Sequence, residues 1–350
     1  MSKLLKSVMM SIIVLALLSA CAAPAAAPTT APAAPAAAAT QAPAAAATSS
    51  FKVGLLSSGS VNDQGWNSIA YGAMKQIESQ LGAQFSYVEL QQDPASYEKA
   101  FRDYASQGYQ FILGHGNEFQ DSAIAVSKDY PNTQFFISSS YVHQGNVTGL
   151  NTASDQTFYL MGVVSAKMCK AAGFVGGMQI PPIAEALTGF INGTRSIDPN
   201  FKVYQTYTGG FTDAAAAKEA ALSMIAQGAD CIIQDADVSG QGVYQAVVEK
   251  GPNIWTFGAF TPATDSAPGQ VLANYTSDYG AGLMSIAKAV KDGTFKPGKN
   301  VDFGLDRPDV MHFTYDTTSK KPIPQDVKDA VDAATKAIVA GTVNTLAPVK

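Results

Sequence analysis

The chain has 350 residues, with 23 lysines and arginines against 28 aspartates and glutamates, for a net charge of −5. An acidic balance argues against nucleic acid as a partner, because a phosphate backbone calls for a basic surface. The length suffices for two domains.

Lys3 and Lys6 precede a largely apolar run over residues 8–18, which ends at Leu18-Ser19-Ala20-Cys21. The run is shorter than the roughly 20 residues a bilayer requires, so residues 1–20 read as a secretory signal peptide. The four closing residues resemble the cleavage box of bacterial lipoproteins. That likeness implies lipidation of Cys21 and an extracytoplasmic protein anchored to the bacterial cell membrane through its lipid. Residues 21–50 are almost entirely Ala, Pro, Thr and Gln, without charge or aromatic side chains, and read as a disordered tether.

From Phe51 onward, short apolar runs alternate with amphipathic stretches. Strands are expected at residues 52–56, 85–90, 111–114, 135–138 and 147–150, with a helix over 68–81. A buried helix is expected over 155–170, and the alternation restarts at 173–177, 202–207, 231–234, 254–257 and 271–274. Strand, helix, strand repeated twice predicts an α/β fold of two doubly wound parallel-sheet lobes joined by a hinge near 149–154. The first lobe is expected to comprise 51–154 plus about 276–300, and the second 155–275 plus about 301–346. Cys169 and Cys231 lie in apolar stretches without motif spacing, so two buried thiols are expected and a disulfide stays open.

Little here suits catalysis. His115, His143 and His312 lack metal-site spacing, and neither a nucleophile elbow nor a phosphate-binding loop occurs. An enzyme is not expected, and no cofactor or metal is implied. Attention shifts to the loops at the carboxyl ends of the strands, where open α/β sheets bind ligands.

After the first strand come Asp63, Trp66 and Asn67. Asp63 stands either as the cap of the next helix or as a ligand acceptor. Trp66 is either a stacking platform for a planar ligand or an aromatic packed on its own helix turn. After the third strand, His115 and Asn117 are cleft candidates and Asp121 is a helix cap. In the second half, Phe211 is either an opposing platform or lobe packing, and Asp213 is a cap. Asp237, better placed than Asp235, offers a carboxylate to ligand N–H or hydroxyl groups.

At these loops the chain resembles the basic-membrane-protein family of ABC-transporter solute-binding lipoproteins. The likeness runs from Phe51 to about Val343. It is carried by Ala172-Gly173-Phe174-Val175-Gly176-Gly177-Met178-Gln179-Ile180-Pro181-Pro182, by Gln227-Gly228-Ala229-Asp230 and by Asp292-Gly293-Thr294-Phe295-Lys296-Pro297-Gly298. It implies a two-lobed, type I periplasmic-binding-protein fold in which Trp66 and Phe211 sandwich a planar ring, with Asp63 and Asn67 beside it.

The sequence departs from the family where ribose is held. In place of a Gly-Val-Asp motif it has Gly258-Ala259-Phe260, and in place of a nearby lysine it has Asn274-Tyr275-Thr276-Ser277-Asp278. Phe260 and Asp278 are carried as ligand-contact candidates at those positions. The resemblance implies a monomer that captures a purine base or nucleoside, the base favoured, and delivers it to an ABC permease. A sugar receptor of the same architecture and an extracellular nucleoside hydrolase using Asp235 with Asp237 are the alternatives.

Overall fold

The computed structural model describes residues 50–63, 66–91 and 93–348. The signal peptide, Cys21 and most of the tether lie outside the described residues.

The first half follows the expected alternation: β1 (Lys52–Ser57), α1 (Trp66–Leu81), β2 (Gln84–Glu89), α2 (Pro94–Ser106), β3 (Phe111–His115), α3 (Gln120–Ser127), β4 (Gln134–Ser138), a two-residue β5 (His143–Gln144) and β6 (Val147–Thr152). The second half begins with α4 (Ser154–Met168), β7 (Ala171–Gly176), α5 (Pro181–Arg195), β8 (Lys202–Tyr207), α6 (Ala214–Ala226) and β9 (Cys231–Asp235). It continues with α7 (Gln241–Lys250), β10 (Trp255–Gly258), β11 (Val271–Ser277), α8 (Tyr279–Lys291), β12 (Val301–Phe303), β13 (Met311–Tyr315) and α9 (Gln325–Val339).

The strands form two sheets. One has the order β12-β6-β4-β3-β1-β2, with β5 antiparallel against β6. The other has the order β13-β11-β10-β9-β7-β8, with only β13 antiparallel. The central strands β3 and β9 are buried along their whole length, whereas every residue of the edge strands β2 and β8 is exposed or half-buried. That contrast is why the central strands read as continuous apolar runs, since helices cover both their faces.

The chain passes between the sheets three times: from β6 to α4, from β11 to α8, and from β12 to β13. The last passage falls later than expected. Val301–Phe303 pairs with Leu150–Thr152 in the first sheet, so residues placed by sequence in the second lobe complete the first. α8 also packs on the first lobe, its Leu283 and Ile286 sharing a core with Val53, Met74 and Ile77. α9 returns to the second, where Val327 and Val331 join Phe158 and Phe174.

A second correction concerns the cysteines. Cys169, just after α4, and Cys231, the first residue of β9, form a disulfide with their Cα atoms 6.1 Å apart, not a pair of thiols. That separation lies within the ordinary span of such a bridge.

Candidate functional site

The carboxyl ends of both sheets carry the residues singled out in the sequence. In the first lobe, Asp63 folds over the start of α1. Its Oδ2 accepts from the Asn67 backbone N–H and from Asn67 Nδ2, each at 2.9 Å, and its Oδ1 accepts from the Ser68 N–H at 3.0 Å. Asn67 Oδ1 lies 2.7 Å from Ser57 Oγ at the end of β1. These bonds satisfy amides that a helix start leaves unpaired, and they set the loop that presents Trp66.

Trp66 is half-buried, and one face of its indole is covered. The His115 ring stacks on it with centroids 4.1 Å apart and planes 21° from parallel. His115 ends β3 and is fully buried. Its Nε2 lies 3.0 Å from the Trp66 carbonyl and its Nδ1 3.0 Å from Ser138 Oγ at the end of β4. A carbonyl only accepts, so Nε2 carries the proton and Nδ1 accepts from the serine. Burial lowers the pKa of His115 to about 4, against a smaller upward pull from the Trp66 carbonyl and the Asp63 charge, so the ring is neutral at physiological pH. Tyr279, opening α8, lies behind it at 5.9 Å. Asn117 is exposed on the short turn after β3.

In the second lobe, Phe211 lies against Gly177, where any side chain would occupy the space of its ring. Its carbonyl accepts from the Ser239 N–H at 2.9 Å, and Asp213 caps α6 through the Ala216 N–H at 3.0 Å. Asp237, two residues beyond β9, has φ of 49°, a left-handed conformation costly for a side-chain-bearing residue. Part of its surface reaches solvent, yet protein crowds it from both lobes. That desolvation, more than the charge of Asp63 opposite, lifts its carboxyl to about 6, while the nearby Trp66 and Val238 backbone amides pull the other way.

The Asp237–Trp66 contact joins the strand ends of the two sheets. A second bridge runs from the Tyr141 hydroxyl, in the loop after β4, to the Glu185 carboxylate on α5. Burial and this acidic partner push the Tyr141 phenol well above its usual range.

The remaining candidates divide. Phe260, with φ of 62°, packs at 5.0 Å against Tyr275 of β11. Asp278 is exposed at a chain crossing and caps α8 through the Ala281 N–H at 2.9 Å. Three residues that the sequence did not single out belong to this region: Ser138, Tyr141 and Glu185. Their contacts lie 23 and 44 residues apart in the chain, beyond the reach of local pattern. Asp235, passed over in favour of its neighbour, is 5 % exposed at the tip of β9, and burial raises its carboxyl to about 7. A polar groove of about 640 Å³ lined by His143, Gln156, Asn300 and Asp302 lies at the chain crossings, away from the stacked aromatics.

Two doubly wound sheets, crossed three times and bridged at strand ends rich in aromatic and carboxylate side chains, define a solute-binding protein of the type I fold. The chain belongs to the Bmp family of PnrA-like ABC transporter substrate-binding proteins, whose model matches residues 50–344. Proteins of this family are extracytoplasmic receptors for small molecules and act with a permease; they are not enzymes. Among the described residues no helix is long and apolar enough to cross a membrane.

The chain is 30% identical over 304 residues to the ABC transporter nucleoside-binding protein BmpA of Lactococcus lactis subsp. cremoris, covering 81% of this chain and 85% of that one. It is 27% identical over 297 residues to a purine-binding protein of Brucella abortus, covering 84% and 82%. Among solved structures, an ABC transporter solute-binding protein from Conexibacter woesei superposes with a TM-score of 0.67 at 25% identity, over 84% of this chain and 98% of that one.

Proposed function

We propose that the protein captures a purine base or nucleoside between Trp66 and Phe211 and delivers it to an ABC permease from a lipid anchor at Cys21. The reading rests above all on the Trp66 indole, held face to face with the buried His115 ring at the carboxyl edge of the first sheet, with Asp237 of the second lobe near its backbone amide. With His115 behind it, the indole is a supported plate, the geometry on which a flat heterocycle stacks. The nucleoside-binding and purine-binding relatives favour the same ligand class.

The ligand is uncharged or cationic, not anionic. The loops following β1 to β4, β6 and β7 to β11 contain no lysine or arginine. Arg307, after β12, is held by Asp309 through two bonds of 2.9 and 2.7 Å. A phosphate or carboxylate needs such cationic partners. The missing aspartate and lysine at Phe260 and Asn274 favour the free base over the nucleoside.

Titration with adenine, guanine, hypoxanthine and their nucleosides, followed by calorimetry and tryptophan fluorescence, tests the proposal. Saturable binding of at least one supports it. Binding of none at high micromolar concentration, or saturation by ribose or a hexose alone, overturns it.

A further inference from the structure

Asp235 closes β9, and its side chain falls on the sheet face shared by Cys231 and Ile233. It is 5 % exposed, and its carboxylate has no hydrogen-bond or ionic partner among the described residues. The groups that act on it are Asp237 from the following turn, Tyr207 from β8 and Tyr275 from β11, none of them a cation. Tyr275 is fully buried. Its hydroxyl and that of Ser277 influence one another, yet neither has a hydrogen bond of good geometry.

Folded proteins leave few buried polar groups unpaired, and those they do leave call for a reason. Here the unpaired groups converge on one place at the ligand-binding edge of the sheet. The same place holds Asp237 and Phe260, whose positive φ angles mark backbone kept in a costly conformation.

We propose that Asp235 and Tyr275 form the polar end of the ligand pocket, a subsite that receives the N–H edge of a guanine-type ring. The proposal rests on the reading of this protein as a purine receptor and names the part of the purine it selects. The loops following β7 to β11 offer carboxylate acceptors and no lysine or arginine, so the complementary ligand edge is rich in donors. In guanine the ring N1–H and the 2-amino group stand side by side and meet both oxygens of one ionised carboxylate. Adenine sets a donor beside an acceptor and requires the acid to be protonated. Hypoxanthine retains the N1–H and lacks the amine.

Fluorescence titration of the full chain with guanine, hypoxanthine and adenine, at pH 6 and pH 8, provides the test, with Asp235→Asn and Tyr275→Phe variants in parallel. The wild type binds guanine most tightly, and more tightly at pH 8 than at pH 6. Asp235→Asn loses about 10- to 100-fold in guanine affinity, loses the pH dependence, and melts no lower than the wild type because a buried unpaired acid has gone. Undiminished guanine binding by Asp235→Asn, or a wild-type preference for adenine, overturns the subsite while leaving the purine reading intact. Absence of any purine binding by the wild type overturns both. Should Asp235→Asn melt early, Tyr275→Phe decides: reduced guanine affinity supports the subsite, and unchanged affinity overturns it.

Discussion

The His115 imidazole lies face to face with the Trp66 indole, 4.1 Å between centroids, while its Nε2–H holds the carbonyl of that same tryptophan at 3.0 Å. One neutral side chain thus fixes both the ring and the backbone of the proposed platform. Its burial ensures that no charge appears there until the solution is strongly acidic.

Replacing Trp66 by alanine removes the stacking surface. We expect a loss of about 1 to 3 kcal/mol in ligand binding with little change in circular dichroism or melting temperature. His115→Gln is expected to weaken binding less and to broaden the Trp66 emission. Asp237→Asn removes the carboxyl that titrates near 6 beside the Trp66 amide, and the Trp66 emission of that variant stays constant from pH 8 to pH 5 and is quenched only as the imidazole charges near pH 4. Emission of Asp237→Asn that changes near pH 6.5 would show an exposed histidine and contradict the stacked arrangement.

Stability should fall as pH rises through neutrality. The Asp235 carboxyl titrates near 7 in the folded chain against 3.8 when free, so the folded form holds the proton more firmly. Its contribution is fully present below pH 3.8 and is lost as pH passes through 7. Between pH 6 and pH 8 the loss amounts to about 1 to 2 kcal/mol, and Asp235→Asn should abolish most of it. His115 acts in the opposite sense: its contribution is present above pH 6.5 and is lost as pH falls toward 4. Differential scanning calorimetry across this range separates the two.

The Tyr141–Glu185 bridge should favour the closed arrangement. Tyr141→Phe removes about 1 kcal/mol of that preference, seen as a larger radius of gyration by small-angle scattering in the free protein and a several-fold weaker ligand affinity. A matching effect of Glu185→Gln, with no further loss in the double variant, would identify the pair as one interaction.

The disulfide closes a loop spanning 62 positions, and chain entropy assigns such a bridge up to about 4 kcal/mol. Cys231→Ser should therefore lower the melting temperature substantially. Cys231 and Asp235 occupy opposite ends of β9, so the folded variant should bind its ligand as the wild type does.

Much of the architecture was legible because burial on both sheet faces leaves an apolar signature in short windows. β1 and β9 announce themselves in this way. What escaped depends on partners distant in the chain. Val301–Phe303 is a strand only because Leu150–Thr152 lies beside it, and three residues carry no periodicity of their own. Cys169 and Cys231 meet because β7 and β9 are neighbours, a pairing no cysteine spacing encodes. The site divides similarly. Trp66 and Phe211 stand out by residue type and loop position, but the choice between Asp235 and Asp237 turns on burial, which only the assembled sheet determines.

Left-handed backbone at residues other than glycine occurs, among the described residues, at Ser139, Asp237 and Phe260, each just beyond a strand of one lobe or the other. Such positions are kept at the expense of folding free energy. A laboratory search for heat-resistant variants would find its easiest gains there, by relaxing these residues to glycine. Its winners would be the sturdier molecules and the poorer receptors, so a thermostability screen run without a binding assay would map the recognition loops by destroying them.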